Sequence, residues 1–121
     1  MSRLQDIRQL QDRIKRFAVS IIGFFSELPK TEVARTIGRQ LLRFGTSVAA
    51  NYRAACRARS STNFISKISV VLEETDETLF WLELLVEAAL LDQSRCQILH
   101  NECEELLKIF AASLATAKAN R

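Results

Sequence analysis

"LQDIRQLQDRIKRFAVSIIGFFSELPK", residues 4–30, decides the fold. Leu4, Ile7, Leu10, Ile14, Phe17, Ile21, Phe24 and Leu28 recur at steps of three and four, which gathers them on one face of a helix and not on a strand. Helix 1 is therefore predicted from about Ser2 to Glu27. Pro29 ends it, because proline lacks an N–H and biases the residue before it away from the α region.

The same period continues beyond the proline. Thr31 is placed to cap helix 2, with Glu32 in a first turn where the helix dipole favours an anion. Helix 2 is predicted to about Ala58, with Val33, Ile37, Leu41, Phe44, Val48 and Tyr52 as its core stripe. "RSST", residues 59–62, breaks the pattern; Ser61 or Thr62 is the expected cap of helix 3, which runs to about Leu90. Its stripe is Phe64, Ile68, Val71, Leu72, Thr75, Leu79, Leu82, Val86 and Ala89. Asp92 and Ser94 open helix 4, where Ser94 and Gln97 have capping-box spacing. Four long helices on short connections must be antiparallel neighbours, so the expected fold is all-α, a single up-down-up-down four-helix bundle over residues 1–121.

Composition agrees. Three glycines and one proline in 121 residues are few, and 48% hydrophobic with 26% charged residues is ordinary for a globular chain. The longest uncharged stretch, Phe17 to Ser26, is far short of the ~20 residues that span a bilayer. The N-terminus lacks the apolar region of a signal peptide, and three cysteines are an odd number suited to reduced thiols. A soluble cytoplasmic protein with no membrane association is the expectation.

Charge is the unusual feature. Residues 1–67 hold 13 basic and 4 acidic side chains, and residues 68–121 hold 4 basic and 10 acidic. From Val33 to Leu72 there is no acid at all, against six arginines and one lysine. At 100° per residue Arg35, Arg39, Arg43, Arg53 and Arg57 fall in one sector of helix 2, opposite the core stripe, and Arg59 and Lys67 extend it past the turn. A solvated face usually interleaves signs, and like charges four apart repel by a few tenths of a kcal/mol. Something should neutralise this ladder. The acids of helix 3 (Glu73, Glu74, Asp76, Glu77), from the same or a neighbouring chain, are one candidate; an external polyanion is the other. Arginine favours bidentate contact with carboxylate or phosphate. With no helix-turn-helix, zinc-finger or basic-zipper signature, nucleic acid would be met through backbone phosphates and shape.

Two further patterns concern packing. Ala34, Gly38, Gly45 and Ala49 form a small-residue flank on helix 2, the mark of close helix approach, most simply within one bundle. On helix 3, Val70, Phe80, Trp81, Leu84 and Ala88 fall on the side that should be polar, which points to burial by self-association. Catalysis finds little support. Cys96, His100 and Cys103 share one face of helix 4, but the cysteines are in phase with Leu99, Leu106 and Phe110, so core packing is expected and no metal. No E-x-x-H pair, nucleophile elbow, P-loop or dinucleotide fingerprint occurs. Neither a catalytic residue nor a cofactor is expected.

The stretch "ELPKTEVARTIGRQLLRFGTSVAANYRAACRARSSTNFISKISVVLEETDETLFWLELL", residues 27–85, resembles a family of small bacterial four-helix-bundle proteins. These were first noticed as products of intervening sequences in large-subunit ribosomal RNA genes, and they include the accessory variability determinant of diversity-generating retroelements. The resemblance rests on Leu28-Pro29, the Gln40-Leu-x-Arg43 element, Ser47-Val-Ala-Ala-Asn51, a Ser-rich turn before Phe64, and "EETDETLFWLELL"; it extends over roughly residues 5 to 115. Where the family commonly follows the asparagine with an acid and a glycine, this chain has Tyr52, Arg53 and Ala54, so its helix 2 is more basic. Asn51 lies at the border of the core stripe, and a structural hydrogen bond is its expected role. The resemblance implies a four-helix protomer in a ring, typically a homopentamer. It further implies a role with structured RNA or DNA, in retroelement members beside a reverse transcriptase, and no enzymatic activity.

Overall fold

Each predicted corner is present in the computed structural model, which describes residues 3–121. Helix α1 spans Arg3–Ser26, α2 Glu32–Cys56, α3 Ser61–Glu87 and α4 Gln93–Ala119. The local chemistry of each start is visible. Thr31 Oγ1 accepts from the Ala34 N–H at 3.2 Å and caps α2. Ser60, one residue ahead of the expected Ser61 or Thr62, caps α3 by accepting from the Asn63 N–H at 3.1 Å. Asp92 caps α4 through the Ser94 N–H at 3.2 Å. The expected Ser94–Gln97 capping box is not formed, since the Gln97 amide donates instead to Asn101 Oδ1 at 2.8 Å.

Helix α3 stops three residues before the expected Leu90. The Leu90 N–H bonds Leu85 O and the Ala89 N–H bonds Val86 O, both at 3.0 Å, with Ala89 at φ 58°. This is a Schellman termination, in which one left-handed residue turns the chain and satisfies the last carbonyls. Ala89 is consequently exposed and does not belong to the core stripe.

The helices run antiparallel around a square. Gly45 of α2 faces Ile21 of α1 while Gly38 faces Leu28 and Phe25, so numbering falls on one helix as it rises on the other. Thr75 and Glu83 of α3 meet Cys103 and His100 of α4, and Arg13 and Glu27 of α1 meet Glu102 and Arg95 of α4, with the same opposite sense. Chain neighbours pack closely, and α1 and α4 form the most open seam. Between them lies the core: Ile14, Phe17, Ile21 and Phe24; Leu41, Val48 and Tyr52; Ile68, Val71, Leu82 and Leu85; Cys96, Leu99, Cys103, Leu106 and Phe110. Thr75 and Thr78 are buried among them, each hydroxyl donating to the carbonyl four residues back (Val71 O and Glu74 O, 2.7 Å).

The core stripes differ from expectation at their edges. Leu4 and Val33 are exposed, at 58% and 60%. On α2 the inward face is centred on Ala34, Gly38, Leu41, Gly45, Val48 and Tyr52, rotated toward the glycines, because α1 packs directly on that flank. On α3, Thr78 and Leu85 replace the half-buried Phe64, Leu72 and Leu79 at the centre. Among the described residues no helix is long and apolar enough to cross a membrane.

Candidate nucleic-acid interface

Rotation of α2 onto its small residues fixes where its arginines go. With Ala34, Gly38, Gly45 and Tyr52 inward, Arg35, Arg39, Arg43, Arg53 and Arg57 are all exposed on the opposite side. From Arg35 to Arg57 the ladder is about 33 Å long at 1.5 Å per residue. It falls into two groups. Arg35, Arg39 and Arg43 are one turn apart; then about 15 Å of small or uncharged positions, including Thr46 and Ala50, precede Arg53 and Arg57. Thr46 is turned back on its own helix, its hydroxyl donating to Leu42 O at 2.7 Å. The Arg43 guanidinium lies 5.3 Å from the Phe44 ring centroid, a cation–π contact that holds it without cancelling its charge. Arg57 is the C-cap residue of α2, Arg59 is exposed in the α2–α3 corner, and Lys67 is half-buried on α3.

The ion pairs lie elsewhere. Arg13 makes a bidentate bridge to Glu102 (2.7 and 2.8 Å) across the α1–α4 seam, and Glu102 holds its guanidinium above the ordinary arginine value. Arg95 pairs with Glu27, and His100 sits 3.2 Å from both Glu83 and Glu104. Among the described residues, none of Arg35, Arg39, Arg43, Arg53, Arg57, Arg59 or Lys67 pairs with a carboxylate within the chain. Of the α3 acids, Glu74 accepts the Asn51 Nδ2 hydrogen bond, the structural role expected of Asn51. Glu73, Asp76 and Glu77 are exposed around Phe44. The net charge is thus basic on α1–α2 and acidic on α3–α4, and among the described residues no ion pair within the chain joins the ladder to the α3 acids.

The α3 patch is only partly a surface. Phe80 and Val70 are exposed, at 51% and 43%, and Phe80 meets the Trp81 ring edge-on at a centroid distance of 5.0 Å. Trp81 and Leu84 are half-buried, Trp81 against the core, while Ala88 is exposed at the helix cap. The Trp81 Nε1–H is shielded from solvent and has no hydrogen-bond partner. On α4 the Cys103 thiol donates to Thr75 O at 3.4 Å, so it packs as a core residue. Among the described residues no three His, Cys, Asp or Glu side chains are arranged to hold a metal ion.

One contribution to the basic face was not anticipated from the sequence. Lys15 of α1 stands beside Arg53 and Arg57, the three cations rimming a recess of about 490 Å³ between α1 and α2. The signal lay in the small-residue flank, which marks where α1 packs, but the register that sets Lys15 beside Arg53 depends on Gly45 meeting Ile21.

The 23S rRNA-intervening sequence protein model matches residues 7–112. A crystal structure described as a protein of unknown function from the S23 ribosomal protein family, from Bacteroides thetaiotaomicron VPI-5482, is similar at 32% identity and a TM-score of 0.80, covering 86% of this chain and 96% of that one. No curated protein matches. A bundle of this connectivity, matched over 7–112 and at 32% identity to a solved S23 structure, belongs to the 23S rRNA-intervening sequence protein family.

Proposed function

We propose that this protein is a non-enzymatic, self-associating nucleic-acid-binding protein that grips the phosphate backbone of structured RNA or DNA with the α2 face. The observation that carries this reading is the ladder itself: five exposed arginines on one side of one helix, without a carboxylate partner in the chain. Phosphate contacts release counterions, so affinity should fall with salt at about 0.9 log units per contact per decade. Six contacts correspond to roughly a 10³-fold loss between ~50 and ~200 mM salt. Fluorescence anisotropy of a labelled RNA hairpin and a DNA duplex at those two concentrations tests it. The Arg39→Glu/Arg43→Glu variant should abolish binding with its assembly intact; unchanged affinity would remove the ladder from the interface. Self-association through Val70, Phe80, Trp81, Leu84 and Ala88, in a ring such as a homopentamer, would multiply a weak patch by avidity.

A second reading is favoured by the acids. Glu73, Asp76 and Glu77 of α3 have no basic partner among the described residues, so the ladder of one subunit could seat on α3 of the next in an interaction scaffold. In that case Arg39→Glu should dissociate the oligomer in light scattering, and an assembly of unchanged mass would count against it.

A further inference from the structure

The ladder has a second wall. At its Arg53–Arg57 end a recess between α1 and α2 is lined by Ala49, Ala50 and the buried Tyr52, and the two short alanine side chains leave room where larger residues would fill the groove. Its volume of about 490 Å³ is in the range of clefts that hold ligands. Lys15 from α1 and Arg53 and Arg57 from α2 stand around it, and Gln11 adds an amide able to donate. Among the described residues none of the three cations is engaged in an ion pair, although Asp12 shares the rim. Three cations and one acid leave the recess with a net positive charge of two.

From this arrangement we infer that the recess is an anion subsite that seats one phosphodiester group of a nucleic-acid backbone, with Lys15 as a binding residue on α1 and Asp12 as a built-in brake on affinity. Donors reach it from two helices and several directions, which suits a tetrahedral phosphate, and Arg forks add bidentate contacts. The subsite is one end of a ladder about 33 Å long, set off from Arg35, Arg39 and Arg43 by about 15 Å of uncharged positions; a duplex strand carries one phosphate per 3.4 Å, so a linear polyanion of about ten nucleotides reaches both groups. A short acidic peptide would use only part of it. The inference rests on the nucleic-acid reading above for its ligand, but not for the site.

Asp12 makes the test one of gain as well as loss. Lys15→Gln should weaken RNA and DNA binding several-fold and reduce the slope of log affinity against log salt by about 1, the signature of one lost phosphate contact. Asp12→Asn removes the only negative group on the rim and should tighten binding several-fold, a result that misfolding cannot imitate. If both variants bind as wild type, the subsite assignment fails. A hairpin RNA and a DNA duplex are measured side by side, and an effect on only one names the source of the phosphate. A labelled oligoglutamate of equal charge is the counter-probe: equal effects of both substitutions on its affinity would mean an acidic-peptide site and overturn the proposal. Should wild type bind neither nucleic acid at ~50 mM salt, the ladder reading falls, and inorganic pyrophosphate then tests the recess alone. Shifts of the Ala49 and Ala50 amides that vanish in Lys15→Gln would uphold the anion site; their absence in wild type would overturn it.

Discussion

The three glycines offer one substitution whose sign the packing dictates differently at each position. In a helix interior Gly→Ala is worth about 1 kcal/mol of stabilisation from backbone entropy alone. At Gly23, exposed on α1, an added Cβ meets nothing within 4 Å, so the whole of this should appear. At Gly45 the same methyl would lie 2.9 and 3.0 Å from Ile21 Cγ2 and Cγ1. Those atoms are attached at a branched Cβ with little χ1 freedom, and Ile21 is fully buried. Overpacking of this kind costs about 1–3 kcal/mol; set against the propensity gain, Gly45→Ala should destabilise by up to about 2 kcal/mol. Gly38 lies between. Its methyl would enter contact with Leu28 Cδ1, the far end of a flexible chain, and with Phe25 Cδ2 at 3.1 Å, on a half-buried ring that can give way. Cost and gain should nearly offset. Urea unfolding followed by far-UV circular dichroism, at two protein concentrations to separate folding from association, reads all three. With an m-value of about 2 kcal/mol/M, the midpoints of Gly23→Ala and Gly45→Ala should differ by about 0.5–1.5 M. A Gly45→Ala midpoint raised as far as that of Gly23→Ala, with m unchanged, would refute the claim that α1 lies directly on this flank of α2.

Two other substitutions follow from local geometry. Ala89→Gly removes a Cβ from a residue at φ 58° in the Schellman turn and should raise stability by about 1 kcal/mol in the same assay; a decrease would mean that the turn is not left-handed. The Cys103 thiol is pushed from its ordinary 9.0 up to about 12, first by burial and then by the carboxylates of Asp76, Glu104, Glu83 and Glu102. A raised value means stability that is complete below pH ~9 and is lost as pH rises toward ~12, at about 1.4 kcal/mol per pH unit and on the order of 4 kcal/mol in total. Urea midpoints between pH 8 and 10.5 should therefore fall in wild type and fall less steeply in Cys103→Ala, and parallel curves would remove Cys103 as the cause.

The fold was legible because each helix carries its own period and its own stops. Pro29 and Thr31 mark the first corner in chemistry that no tertiary contact needs to supply. Where reading stopped short, a neighbouring helix made the decision. Val33 has the right period for the core and is exposed, because Gly38 and Gly45 draw α1 onto one side of α2 and rotate the whole inward face. The end of α3 was missed because Ala89 takes a conformation usually left to glycine. In the candidate site the ladder's direction could be read from α2 alone. The place of Lys15 could not, since it depends on register between two helices.

The charge separation also sets what salt can and cannot tell. Like charges at four-residue spacing on α2 repel, and the ion pairs that the chain does form, Arg13–Glu102 and Arg95–Glu27, brace α1 against α4 and leave the ladder uncompensated. On the proposed reading its neutralisation comes from outside the chain, from phosphates or from the α3 acids of another copy. Both interactions weaken as salt rises, so a steep salt dependence of RNA binding does not by itself choose between them. The choice lies in what salt does when no RNA is present. If the arginines are paired across subunits, rising salt should dissociate the oligomer, and RNA must compete with assembly for the same side chains. If instead the apolar α3 face holds the subunits together, the assembly should persist in high salt, because excluded salts strengthen hydrophobic burial. Then the ladder is open in the assembled state and phosphates are its remaining partner.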